Sequence, residues 1–249
     1  MTGPVLGVAR SLSGRRWIWR QPADPVADRL GLGIAQRLGV SELLGRLLAV
    51  RGIGVEAAGS FLDPTLRALL PDPAVLIDMD RAAARLADAV RRGETVAVFG
   101  DYDVDGACSG AIMASFLRGL GCQVLPYVPD RMAEGYGPNL PALRGLVARG
   151  ATLIVCVDCG TAAGDVLAGI KGEAEVVVLD HHKAEGPPPD VVATVNPNRL
   201  DCDSGLRHLC AGAIAFLATI ATVRALRRDG FFAARPEPDL MGLLDLPTA

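Results

Sequence analysis

The sequence predicts an α/β domain, a parallel sheet with helices on both faces, preceded by a smaller helical N-terminal segment. Three observations predict it. From residue 95 onward, short valine-rich apolar runs alternate with longer stretches of helical spacing, the rhythm of strands joined by crossover helices. Ahead of them, between Pro25 and about residue 90, apolar residues recur at three and four with no such runs. The composition, half apolar but only 4% aromatic, is that of a cored globular chain.

In chain order, residues 1 to about 25 are basic and bear tryptophans (Arg10, Arg15, Arg16, Trp17, Trp19, Arg20), and read as an arm or an edge strand. Leu30, Ile34 and Leu38, then Leu43, Leu44, Leu47 and Leu48, mark helices; Ser41 and Glu42 begin the second, and Gly52 and Gly54 end it. The stretch FLDPTLRALLPDP is a prolyl-punctuated connector, and Arg81 to Arg92 is an amphipathic helix closed by Gly93. A boundary near residue 80 divides a helical segment, 1–80, from an α/β domain, 81–249. In the latter, strands are expected at 95–99, 123–128, 152–157 and 175–179, with helices at 107–120, 139–149 and 161–170. An edge strand is expected at 191–195 and a long apolar helix at 209–228.

A chain of 249 residues with formal charge −3 carries no global basic field, although a local basic groove remains compatible with a nucleic-acid substrate. The six cysteines are scattered through apolar segments of a chain large enough to need no staples, so reduced thiols in a cytosolic protein are expected. No apolar run follows the basic N-terminal residues as in a signal peptide. The longest apolar stretch, Cys210 to Val223, is too short to span a membrane.

Chemistry concentrates at three predicted strand ends. Gly100-Asp101-Tyr102-Asp103-Val104-Asp105-Gly106 follows the first strand. Three carboxylates in five residues repel one another unless a cation compensates. The string fits the first half of an EF-hand loop, but its twelfth position is Ile112, not Glu, and a strand precedes it. Asp158 follows the third expected strand, and Asp180-His181-His182-Lys183 the fourth. Ligands of open α/β sheets bind beyond the carboxyl ends of strands, so these clusters can meet at one rim and hold two cations that promote phosphoryl hydrolysis. Imidazole among carboxylates suits manganese, zinc or iron, with magnesium a poorer match. Arg131, in the loop after strand 123–128, is a candidate phosphate contact. The motifs of P-loop, serine-hydrolase and dinucleotide-binding proteins are absent from the sequence.

GDYDVDG, VDCG and DHH, in that order and spacing, resemble the DHH phosphoesterases. SLSGRRWIWR, FLDPTLRALLPDP, PDRMAEGYGPN, VNPNRLDCDS and LCAGAIAFLA extend the resemblance over nearly the whole chain to one branch of that family, the bacterial RecJ-type exonucleases. The resemblance implies a site for two Mn²⁺ or Mg²⁺ ions that hydrolyses single-stranded DNA from the 5′ end, in DNA repair and recombination. By motif, it makes Asp103, Asp105, Asp158 and His181 metal ligands and Asp101 a supporting carboxylate. His182 would face the scissile phosphate, with Arg131 and Lys183 as phosphate contacts. In the family, a segment like Leu243-Leu244-Asp245-Leu246 continues into a further metal-binding aspartate, a second catalytic-core domain and an oligonucleotide-binding barrel. The chain alone is therefore expected to turn over poorly. The alternatives are a small phosphodiesterase of the same family acting on oligo- or cyclic dinucleotides, and a non-catalytic binding module.

Overall fold

The computed structural model describes residues 3–18 and 24–248. The chain separates into two compact units, Met1–Pro71 and Asp72–Ala249.

In the first unit, α1 (Pro25–Leu38) starts where the Asp24 side chain accepts the Val26 N–H, and α2 (Glu42–Val50) where Ser41 does the same for Leu44. The two helices cross backbone to backbone: a Cβ on Gly45 would lie 2.2 Å from the Gly31 carbonyl oxygen. Ile34 and Leu48 fill the seam, joined by Ala58 of α3 (Val55–Leu62). The expected connector is interrupted by a single helical turn, α4 (Leu66–Leu69), between Pro64 and Pro71. The N-terminal arm joins no sheet among the described residues. The Val5 N–H donates to Trp17 O and the Trp17 N–H to Val8 O, so the arm folds back and pairs with itself around a short 3-10 turn at Val5–Gly7. Trp19 and Arg20 lie outside the described residues.

The units part after Pro71 rather than near residue 80, because Leu76 and Met79 are buried in the second core. Met79 opens α5 (Met79–Arg92). The sheet of this unit runs β2 (Gln123–Tyr127), β1 (Thr95–Gly100), β3 (Leu153–Val157), β4 (Glu175–Leu179), β5 (Ala193–Val195), all parallel. Successive residues alternate between two cores, as the period of a strand demands. Val96, Val98, Val155, Val157, Val177 and Leu179 pack in one with α5, α6 (Val104–Gly119) and α9 (Ala211–Arg228). Ala97, Phe99, Ile154, Cys156, Val176 and Val178 pack in the other with α7 (Leu140–Ala148) and α8 (Gly164–Ala168). Pro126, which has no N–H for a ladder, sits on an edge strand, where it is tolerated.

Helix α8 is shorter than the expected 161–170. Gly160 has φ 112° and the Thr161 N–H donates to Asp180 Oδ2, so the chain turns before a helix can start. The strand order reverses between β1 and β3: the chain leaves β1 for one edge and returns past it. At such a switch point the flanking loops diverge and leave a crevice at the carboxyl ends.

Arg199 fastens the β5 edge. It is buried, and its guanidinium donates to Asp78 Oδ2 at 2.8 Å and to Thr194 O at 2.6 Å while pairing with Asp201. Burial pushes the Asp78 carboxyl up, but hydrogen bonds from Arg199 and the Thr194 N–H outweigh it and hold the group below its usual range. Arg199→Met leaves Asp78 with Arg81 as its remaining side-chain partner. Urea denaturation is expected to show a loss of about 2–3 kcal/mol; an unchanged midpoint would mean that the network does not hold β5.

Candidate active site

Three short loops leave the carboxyl ends of β1, β3 and β4. The first carries Asp101, buried, with Oδ1 accepting the Tyr102 N–H at 2.8 Å. Asp103 is the N-cap of α6 and accepts the Gly106 N–H at 2.9 Å. The first turn of α6 lies so close to the end of β1 that a Cβ on Gly106 would come within 2.4 Å of Asp101 O; this contact, not a positive φ, is what requires glycine there.

Asp158, after β3, has φ 58°, a left-handed conformation that few non-glycine residues adopt. Its carboxylate is buried, and among the described residues neither oxygen receives a hydrogen bond. His181 Nε2 comes within 3.2 Å of Oδ1, an ion-pair distance without hydrogen-bond geometry. Burial, reinforced by the charges of Asp105 and Asp103 and opposed by His181, raises the Asp158 pKa to about 6. An unpartnered buried carboxylate is costly unless something positive completes it.

Asp158 belongs to two donor sets, each with its ligand atoms within 4.8 Å of one another: Asp101, Asp103 and Asp158, and Asp158, His181 and His182. These are the acidic loop on one side of the switch point and the histidine loop on the other, sharing one carboxylate. Oxygen donors with imidazole are the donor chemistry of divalent transition metals.

Asp105, expected as a metal ligand, is also engaged by backbone amides. Its carboxylate accepts the Ala211 N–H at 2.7 Å and the Gly212 N–H at 2.8 Å, the first amides of α9. That helix has only the Cys210 thiol as its own cap, a weak acceptor. Asp105 thus caps a helix 106 residues downstream. It still faces the site, with His181 Nε2 3.4 Å from its Oδ2, but it is in neither donor set.

Asp180, which composition and spacing left without a role, orders the histidine loop. It is buried; Oδ1 accepts the His181 and His182 N–H groups and lies 2.8 Å from His182 Nδ1, and Oδ2 accepts the Thr161 N–H. Burial alone would raise its pKa, but these bonds lower it to about 2. In return Asp180 raises His182 to about 9, and Asp158 raises His181. The signal was present in the sequence, an aspartate at a strand end directly before two histidines. Tyr136, also unassigned, donates its hydroxyl to Asp158 O at 3.3 Å and packs edge-on against the His182 ring. Arg131 stacks its guanidinium 4.6 Å over the Tyr102 ring, beside the acidic loop. Lys183 is exposed and lines a cavity with Tyr136, Thr161 and His182. No hydrogen bond or ion pair ties it to the carboxylates among the described residues.

The family model described as "DHH family, N-terminal domain" matches residues 95–240, which contain both donor sets. The chain belongs to the DHH family. Among relatives, the single-stranded-DNA-specific exonuclease RecJ of Bacillus subtilis (strain 168) is 34% identical over 206 residues, 82% of this chain and 26% of the relative. The structure of RecJ from Thermus thermophilus in complex with Mn²⁺ matches with a TM-score of 0.68 at 28% identity, covering 91% of this chain and 30% of that one. The Mg²⁺ complex from the same organism matches with a TM-score of 0.54 at 26% identity, covering 91% and 26%. The chain thus spans less than a third of the length of each. The parallel sheet with helices on both faces is the DHH-domain fold of these relatives.

Two substitutions at this DHH site are expected to move metal-free stability in opposite directions. Asp158→Asn removes a buried charge and suits the left-handed backbone, so it is expected to stabilise by about 1–3 kcal/mol at neutral pH. Because the folded-state pKa is raised, the penalty is present above about 6 and absent below the unfolded value. The advantage over the parent therefore fades as pH falls through 6 towards 4. Asp105→Ala strips two amides of their cap and is expected to destabilise by about 1–2 kcal/mol. Chelator-treated protein in urea titrations at pH 7.5 and pH 4 checks both; a less stable Asp158→Asn at pH 7.5 would contradict the buried-charge account.

Proposed function

We propose that this chain is the metal-binding domain of a single-stranded-DNA-specific exonuclease, hydrolysing phosphodiester bonds from the 5′ end in DNA repair and recombination in the cytoplasm. The carrying observation is Asp158, a buried carboxylate without a hydrogen bond, shared by an acidic and a histidine-bearing donor set. Membership of the DHH family and similarity to single-stranded-DNA-specific exonucleases support the substrate. The Mn²⁺ and Mg²⁺ complexes of relatives support the cofactor, and the mixed carboxylate–imidazole set fits Mn²⁺ better than Mg²⁺. Among the described residues no helix is long and apolar enough to cross a membrane, and the six cysteines are free thiols.

In this reading Asp101, Asp103 and Asp158 would hold one divalent cation, and Asp158 and His181 would hold a second. Asp105 joins the first turn of α6 to the start of α9 and lies 3.4 Å from His181 Nε2. Bound divalent cations supply Lewis acidity and an acidified water. The chain supplies position and protons. Asp180 accepts from His182 Nδ1 and keeps that ring protonated through neutral pH, so its Nε2–H is a donor for a phosphate oxygen. Tyr136 keeps its proton as well, because burial and the surrounding carboxylates push its pKa up. Arg131 and Lys183 meet the flanking phosphates.

Manganese titration followed by thermal unfolding tests the metal reading. Saturation at about a thousand times Kd adds about 4 kcal/mol of stability, and Asp103→Ala, Asp158→Ala and His181→Ala each reduce the gain. A flat melting temperature across the titration of the parent overturns it. For the substrate, Mn²⁺-loaded protein is expected to prefer single strands over duplex, with affinity falling steeply in salt. Equal binding to both, or salt-independent binding, favours a small-molecule phosphodiesterase.

A further inference from the structure

The stretch Val195-Asn196-Pro197-Asn198-Arg199 has no part in the site as described so far, yet it touches the backbone of both histidines. It follows β5, whose register with β4 aligns Leu179 with Val195, and the Asp180 N–H donates to Val195 O. The next residues of the two strands therefore leave the sheet side by side. Pro197 favours an extended Asn196, and the Asn198 N–H closes a local turn onto Asn196 Oδ1 at 2.7 Å. From there the two amides reach across the gap. Asn198 Nδ2 donates to His181 O at 2.6 Å, and Asn196 Nδ2 to His182 O and Thr161 Oγ1, both at 2.8 Å. The Ala184 N–H returns a bond to Asn198 O. Beneath them, Arg199 ties the loop to Thr194 and Asp78.

Each histidine is consequently held at both ends of its backbone unit, its N–H by Asp180 and its carbonyl by one asparagine. Two fixed points set the direction in which Cα–Cβ projects, and the imidazole then has only its own two torsions to settle. For His181 the consequence is an Nε2 placed 3.2 Å from Asp158 and 3.4 Å from Asp105. The geometry points to Asn198 as a positioning residue for His181, and to Asn196 as the same for His182, acting through the carbonyls and without touching a metal or substrate. The role rests on the proposed metal site for its functional consequence, but not for the positioning itself. Asn196 is fully buried, whereas Asn198 is only half-buried, so Asn198 is the residue to change.

Asn198→Asp keeps the shape of the side chain and removes the donor. The measurement has two arms. In chelator-treated protein, imidazole ¹H–¹⁵N spectra are expected to show one sharp His181 signal in the parent, and a broadened or doubled one in the variant. Loss of the two bonds this amide donates, to His181 O at 2.6 Å and to Arg207 O at 3.4 Å, should shift the metal-free melting temperature by no more than about 8 °C, separating positioning from unfolding. In the second arm, calorimetric Mn²⁺ affinity is expected to fall on the order of 10–100-fold. If the aspartate does not fold, Asn198→Ala replaces it with the same readouts. A single, unmoved His181 signal in the variant overturns the positioning role, and so does a Mn²⁺ affinity within twofold of the parent. A parent that takes no Mn²⁺ overturns the metal site instead, and the imidazole spectra then decide the positioning alone.

Discussion

A carboxylate buried at the end of a central strand without a hydrogen-bond donor is the constraint around which this domain is arranged. Asp158 sits between β1 and β4 at the switch point of the sheet, with both oxygens unsatisfied and a backbone in the left-handed region. Both features work against folding, the first by several kcal/mol for a full charge before relaxation. Apolar packing of two continuous cores against the five strands is what tolerates them. The protein keeps its charge problem at one rim and its hydrophobic gain on the faces, and the two do not compete for the same residues.

Every other aspartate at that rim accepts a hydrogen bond, which gives the exception its meaning. Asp101 and Asp103 accept backbone N–H groups of their own loop; Asp105 caps α9; Asp180 accepts from the histidine loop and Thr161. These bonds lower the carboxyl of Asp180, while burial raises those of Asp101 and Asp158. Neighbouring aspartates thus differ in their readiness to hold a proton because Asp180 accepts several donors, Asp101 one and Asp158 none among the described residues. That division separates the acids that build the site from the acid left open in it.

Much of this was legible in the sequence because the signals are local. β1, β3 and β4 are buried on both faces, so each reads as an apolar run, and an aspartate at the end of each run marks the rim. The meeting of Asp101, Asp103, Asp158, His181 and His182 follows from that topology. What was not legible depends on long-range pairing. No spacing rule links Asp105 to amides at 211 and 212, and the late start of α8 follows from an N–H committed to Asp180, 19 residues on. The unit boundary moved to Pro71 because the burial of Leu76 and Met79 is a tertiary fact that helical periodicity cannot report. The N-terminal arm folds back on itself through bonds between Val5, Val8 and Trp17, a pairing that composition cannot report.

The central claim is that Asp158 is the shared ligand of a metal centre and not a tolerated defect. Anomalous diffraction at the manganese edge, from crystals of the parent and of Asp158→Asn grown with Mn²⁺, tests it most directly. The account predicts anomalous density within coordination distance of an Asp158 oxygen in the parent, on the side of Asp103 or of His181, and its loss or marked weakening in the variant. Density absent from that rim in the parent, or undiminished in Asp158→Asn, would contradict it.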